Sequence, residues 1–140
     1  MTQGKHRLNL RVYYEDTDAG GIVYHASYLR FAERARTEMM RSLGVEQVAL
    51  REDRGLSFVV RDLSIRYRAP ARLDDVVAVD TELRRLGAAS LTLRQEMTRG
   101  TATLVEIDVN VAVIGRSLRP ARLPGDLHAL LAAASARVQP

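Results

Sequence analysis

Within residues 13–31 the chain reads Y-Y-E-D-T-D-A-G-G-I-V-Y-H-A-S-Y-L-R-F, and here the residue types that can do chemistry crowd together. Asp16 and Asp18 come first, Gly20 and Gly21 follow, and His25 stands at the head of a helical pattern. A carboxylate can serve as general base or as nucleophile. The first N–H groups of a helix lack internal partners, carry partial positive charge and can hold a developing oxyanion. Acid, flexible backbone and helix start within about ten residues is the chemistry of acyl transfer.

Each residue also has a plainer reading. Asp18 is the first choice for base or nucleophile, although an Asp beside glycines also favours a simple turn. Asp16 and Glu15 can orient the loop, but facing solvent is the simpler expectation for both. Gly20 and Gly21 remove side chains where a ligand must pass close, or they merely make a tight turn. Ile22, Val23 and Tyr24 form a short apolar step, and Tyr24 joins the two glycines as a substrate-binding candidate. The His25 imidazole can orient a water or move a proton near neutral pH. Tyr14 can hydrogen-bond or position Asp18, or it can simply pack. His6 and His128 lie near the ends of the chain and read as surface residues.

These residues need elements to hold them. Residues 6–14 alternate loosely, with Leu8, Leu10, Val12 and Tyr14 on one side, as a half-buried strand should. Over 27–43, Tyr28, Phe31, Ala32, Ala35, Met39 and Leu43 recur at helical spacing, and Gly44 is a plausible stop. At 1.5 Å per residue that helix is about 25 Å long, enough to run across a sheet. A short helix is expected over 45–54, closed by Gly55. Strands are expected over 58–68 and 76–86. Another carries Leu91, Leu93, Gln95 and Met97 on one face and stops at Gly100. The cleanest signal is 104–114, where Val105, Ile107, Val109, Val111 and Val113 alternate with polar residues and Ala112. A terminal helix is expected over 126–137. Strand, long helix, then four strands that can pair as meanders is an α+β order.

Bulk composition narrows the field. A chain of 140 residues suits one domain spanning 1–140, with one core. The absence of cysteine removes disulfides, thiolate catalysis and cysteine-held metals. No run approaches the ~20 apolar residues of a membrane span, the first residues do not resemble a signal peptide, and a cytoplasmic protein is the expectation. The net charge is +4, and every basic residue except Lys5 is arginine. The arginines are dispersed, and aromatics are only 5% of residues, so the charge reads first as surface solvation and second as a site for a phosphate-bearing small molecule, and a nucleic-acid surface is not expected.

The 13–31 stretch closely resembles the signature of the hotdog-fold acyl-CoA thioesterases of the 4-hydroxybenzoyl-CoA thioesterase type. E-R-A-R-T-E-M from Glu33, F-V-V-R from Phe58 and A-P-A-R-L-D-D from Ala69 are similar to the Tol-Pal-associated acyl-CoA thioesterase branch of Gram-negative bacteria. The resemblance covers roughly residues 11–124. It implies an antiparallel sheet wrapped around a long central helix, joined edge to edge into homodimers and often into homotetramers. It implies an acyl-CoA substrate, a hydrolase needing no cofactor, and partners in the envelope or in phospholipid synthesis. In that pattern the residue matching Asp18 attacks the thioester or activates water, and the backbone N–H of His25 polarises the carbonyl. Relatives bind the phosphates of coenzyme A through a basic mid-sheet turn. Arg84 and Arg85, just before Gly87, are the nearest match, with Arg61, Arg66, Arg68 and Arg122 as further choices.

Rival readings fail on particulars. Counted as a calcium loop from Asp16, the fifth position is Gly20 and the twelfth is Ser27, so the bidentate Glu is missing. An Asp-x-Asp phosphatase of the haloacid-dehalogenase type needs repeated βα units, and a Ser-His-Asp hydrolase needs a G-x-S-x-G turn that does not occur. Two alternatives share the expected fold. One is an acyl-thioester-binding or envelope scaffold without turnover, and the other is a dehydratase acting on 3-hydroxyacyl thioesters.

Overall fold

The computed structural model describes residues 4–134. Its elements, in chain order, are β1 (Lys5–Arg11), α1 (Ser27–Ser42), α2 (Gln47–Arg54), β2 (Ser57–Tyr67), β3 (Val76–Leu86), β4 (Ser90–Arg99), β5 (Ala102–Ile114) and α3 (Gly125–Ala134). The five strands form one sheet in the order β1-β3-β4-β5-β2, and every pairing is antiparallel. This is the α+β hotdog arrangement that the sequence led us to expect. No described helix is long and apolar enough to cross a membrane.

Alternation decides which face of the sheet is inside. In β5, Val105, Ile107, Val109, Val111 and Val113 are no more than 4% exposed and form the floor of the core. Their neighbours Glu106 and Asp108 pair on the opposite face with Arg68, Arg94 and Arg66. α1 lays Tyr28, Phe31, Ala32, Ala35, Met39 and Met40 onto the inner face, against β1 and β3. Gly44 follows with a φ of +88°, and Gly55 closes α2 with a φ of +67°, conformations that glycine adopts without Cβ strain.

One polar group interrupts this apolar floor. Gln95 on β4 and Thr81 on β3 are fully buried on the inner face. The Gln95 amide donates to the Ala32 carbonyl at 2.9 Å and to the Thr81 hydroxyl at 3.0 Å, and its oxygen accepts from Arg36 Nη1 at 2.9 Å. Every polar atom of that amide is therefore spoken for, as a buried amide requires.

One boundary and one burial expectation depart from what the sequence suggested. β1 ends at Arg11, and Tyr14 instead opens a single 3₁₀ turn over Tyr14–Asp16. Val12 still exchanges backbone hydrogen bonds with Asp74 and Asp75, and the chain turns just after it, where the Tyr13 N–H donates to Asp16 Oδ2 instead of to a strand. His6 is not a surface residue, because it shares the inner face of β1 with Leu8 and Leu10, and its Nδ1 is buried. Burial lowers its pKa, opposed by Glu38 and Asp80. α3 runs to Ala134, so the last part of the expected 126–137 helix lies outside the described residues.

Candidate active site

After the 3₁₀ turn the chain folds into a small hairpin. Thr17 bridges Val23, the Asp18 N–H donates to the Ile22 carbonyl at 2.9 Å, and the Gly21 N–H donates back to the Asp18 carbonyl at 3.1 Å. Gly21 sits at a φ of +79°, where a β-carbon would be strained. The Asp18 carboxylate is exposed and has no ion-pair partner among the described residues; its Oδ1 accepts the Gly20 N–H at 2.8 Å. A β-carbon at Gly20 would stand 3.2 Å from Asp18 Oδ1, so the carboxylate would have to shift by a small amount to admit one.

Asp16 corrects the solvent-facing expectation, being only 6% exposed. Its Oδ2 accepts the Tyr13 N–H at 2.8 Å, and its Oδ1 lies 3.2 Å from Arg30, which also reaches Ser27. The Asp16 carbonyl accepts the Tyr24 N–H at 2.9 Å. Asp16 thus fastens the hairpin to the first turn of α1 and leaves Asp18 free at the surface. Glu15 is exposed, as expected.

The return strand of the hairpin runs straight into the helix start. Tyr24 accepts from the Ser27 N–H at 2.8 Å, and α1 begins there. Among the described residues, no acceptor is found for the backbone N–H groups of His25 and Ala26. The Tyr67 hydroxyl donates to the His25 carbonyl at 3.1 Å and so fixes the plane of the intervening peptide. The His25 and Tyr24 rings stand 4.5 Å apart at a tilt, and both residues are exposed. The Tyr28 hydroxyl accepts the Ala71 N–H at 2.9 Å, and burial raises the pKa of its phenol. A cleft of about 340 Å³ opens beside these groups, lined by Ile22, His25, Tyr28, Tyr67, Arg68 and Pro70 among others.

Within one chain the other expected residues are not gathered here. Tyr14 is 82% exposed, and its hydroxyl bonds neither Asp18 nor any other described group. Arg84 and Arg85 lie near the far end of β3, whose first residues follow the Ala71 and Arg72 segment that pairs with Val23 and Ile22 of the hairpin. Eight residues of strand separate Val76 from Arg84, roughly 26 Å. Arg84 is also engaged by Glu82 at 2.6 Å. Arg61, Arg66 and Arg68 are drawn into ion pairs with Asp62, Asp108 and Glu106, while Arg122 is exposed. Tyr28 and Tyr67 escaped the sequence reading because their partners are 43 and 42 residues away, and nothing local marks such a reach.

A carboxylate at the surface, glycine backbone beside it and free amides at a helix start can together attack and stabilise a polarised carbonyl. Among the described residues no cluster of His, Cys, Asp and Glu could hold a metal ion.

Residues 20–106 match the family model described as the thioesterase superfamily. The acyl-CoA thioesterase YbgC of Haemophilus influenzae is 45% identical over 121 residues, covering 86% of this chain and 89% of that protein. The acyl-CoA thioester hydrolase YbgC of an Escherichia coli O6:H1 strain is 46% identical over 125 residues, covering 88% and 92%. Among solved structures, a probable thioesterase from Bartonella henselae is 38% identical with a TM-score of 0.81, covering 86% of this chain and 99% of that one.

Proposed function

The chain belongs to the thioesterase superfamily and is a thioester hydrolase, and from that premise we propose that it hydrolyses acyl-CoA with Asp18 as the reacting carboxylate. The observation that carries this reading is the exposed, unpaired Asp18 on a hairpin that leads directly into the free amides of His25 and Ala26. The high identity and coverage of relatives named acyl-CoA thioesterases support the substrate class.

Two routes use the same atoms. In one, Asp18 attacks the carbonyl carbon, the C–S bond breaks, the thiolate leaves and takes a proton, and water then cleaves the mixed anhydride to regenerate Asp18. In the other, Asp18 takes a proton from water, the hydroxide adds to the carbonyl, and the thiolate leaves and is protonated. Either way the tetrahedral oxyanion would sit against the His25 N–H, where one lost donor costs about 3 kcal/mol. The His25 ring orients the water, and Gly20, Gly21 and Tyr24 receive the thioester.

The assembly proposed is a cytoplasmic homo-oligomer, dimer or tetramer, beside envelope or phospholipid-synthesis partners. β2 is a free edge that leaves Val59, Val60 and Tyr67 38%, 42% and 48% exposed, an open pairing surface of the kind that single chains usually blunt. An antiparallel copy of β2 would set the Ser57 end of one chain against the Tyr67 end of the other. The Arg84–Arg85 end of each chain would then share an end of the joined sheet with its partner's hairpin, which suits a coenzyme A phosphate site.

Asp18→Asn tests the proposal through release of free thiol from a panel of acyl-CoAs. A loss on the order of a thousandfold is expected. Turnover close to that of the unaltered protein would remove Asp18 from the mechanism. Single turnover in oxygen-labelled water identifies the nucleophilic route if label enters the Asp18 carboxylate, which requires attack by Asp18 and then opening of the anhydride by water at the aspartyl carbonyl.

A further inference from the structure

The two strands of the hairpin are held by different means. The return strand is fastened from outside: the Val23 N–H donates to the Ala71 carbonyl at 2.8 Å, and the Ala71 N–H in turn donates to the Tyr28 hydroxyl of α1. The outgoing strand, which carries Asp18, depends on Asp16. Among the described side chains of residues 13–24, Asp16 alone hydrogen-bonds to α1.

Three segments meet on this residue. Its Oδ2 accepts the Tyr13 N–H at 2.8 Å where the chain enters the turn, and its carbonyl accepts the Tyr24 N–H at 2.9 Å, one residue before His25. Its Oδ1 accepts from Arg30 Nη2 at 3.2 Å, and the same nitrogen donates to Ser27 Oγ at 2.9 Å, just past the free amides. Closing the turn needs only an oxygen for the Tyr13 N–H, which a neutral amide supplies as well. The charge on Asp16 is therefore spare to the turn, yet the residue is only 6% exposed, and a buried carboxylate is costly unless a cation answers it. Arg30 answers it while its own side chain stays 50% exposed. A pair that reaches solvent adds little to stability, but its charge-assisted bond fixes direction.

We propose that Asp16 and Arg30 are a positioning pair, which sets the Asp18 carboxylate at its working distance from the His25 and Ala26 amides. Asp16 acts on Asp18 through the backbone of Thr17, and Arg30 acts on the amides through Ser27 and the helix start. Neither needs to touch the thioester. The inference rests on the reading of Asp18 as the reacting carboxylate. Misplacing such a group by about 1 Å can cost about a hundredfold in rate.

The test follows thiol release from one acyl-CoA, with circular dichroism giving the folded fraction so that kcat is counted per folded chain. Asp16→Asn and Arg30→Met should each lower kcat by about ten- to a hundredfold and leave KM within about twofold. Arg30→Lys should recover part of the loss. The double variant should lose no more than either single one, because both act through one contact. A kcat within about twofold of the unaltered protein, a loss carried by KM, or losses that multiply in the double variant overturn the inference. Arg30→Met decides alone if Asp16→Asn does not fold, since that side chain is half in solvent. Asp18→Asn runs beside them. If it is inactive while the Asp16 and Arg30 variants keep full turnover, the positioning pair alone falls; if it keeps its turnover, the Asp18 reading falls and the pair with it.

Discussion

Asp18 and Gln95 are both polar residues with short hydrogen bonds, yet they are held in opposite ways. Asp18 stands in solvent, and its carboxylate is held by one amide two residues away. Gln95 is sealed under α1, and its amide ties together residues 32, 36 and 81. The first arrangement leaves lone pairs free for a substrate. The second leaves none, and serves to fix the pose of its neighbour Arg36. The proposed reactive group thus sits where hydrogen bonding is incomplete, and the positioning group sits where it is complete.

Breaking the buried group should have the larger effect on stability. Gln95→Leu removes the partner of Arg36 and of Thr81, and should cost about 2–3 kcal/mol, read as a lower denaturant midpoint. Asp18→Asn should move the same midpoint by less than about 0.5 kcal/mol despite its effect on turnover. Equal midpoints for the two variants would erase the contrast.

The two glycines sharpen the picture within the hairpin. Gly21→Ala meets no atom within 4 Å but forces a φ of +79°, so about 1 kcal/mol of stability should be lost. Gly20→Ala keeps ordinary backbone and presses on Asp18 Oδ1, so kcat/KM should fall with little change in melting temperature. The reverse assignment of these outcomes would show that the hairpin is held differently.

The smallest effect belongs to the outer face. The Arg7 side chain, bonded to Asp80 at 2.7 Å, holds that carboxyl below the usual aspartate range. A lowered folded-state pKa contributes stability that is present above the ordinary value of about 3.9 and is lost as pH falls below it. Asp80→Asn should therefore flatten the acid limb of a melting-temperature profile slightly, by under about 1 kcal/mol for a surface pair.

The strands and α1 were legible because burial imposes a period on the chain, and 104–114 wrote that period almost without error. Gly44 and Gly55 were legible because a left-handed residue leaves few choices. The turn at Gly20 and Gly21 was readable for a similar reason, since its hydrogen bonds span only a few residues. What stayed hidden depends on where distant segments meet. Asp16 looked as solvent-exposed as Asp18 because nothing in D-T-D says which acid turns inward to Arg30. Arg84 is singled out by likeness to a basic mid-sheet turn, and sequence does not reveal which end of β3 adjoins the hairpin. Gln95 was placed on the inner face by its spacing, but its partners lie on two other elements.

Tyr67 occupies the last position of an open strand, and its hydroxyl grips the carbonyl of the peptide whose amide belongs to Ala26. A peptide held by its oxygen has its N–H aimed the opposite way, so the strand terminus sets the tilt of one donor at the helix mouth. Any chain laid along that border would push on the phenol and, through it, on the cradle meant for negative charge. In the proposed pair, a single side chain would therefore yoke assembly to rate.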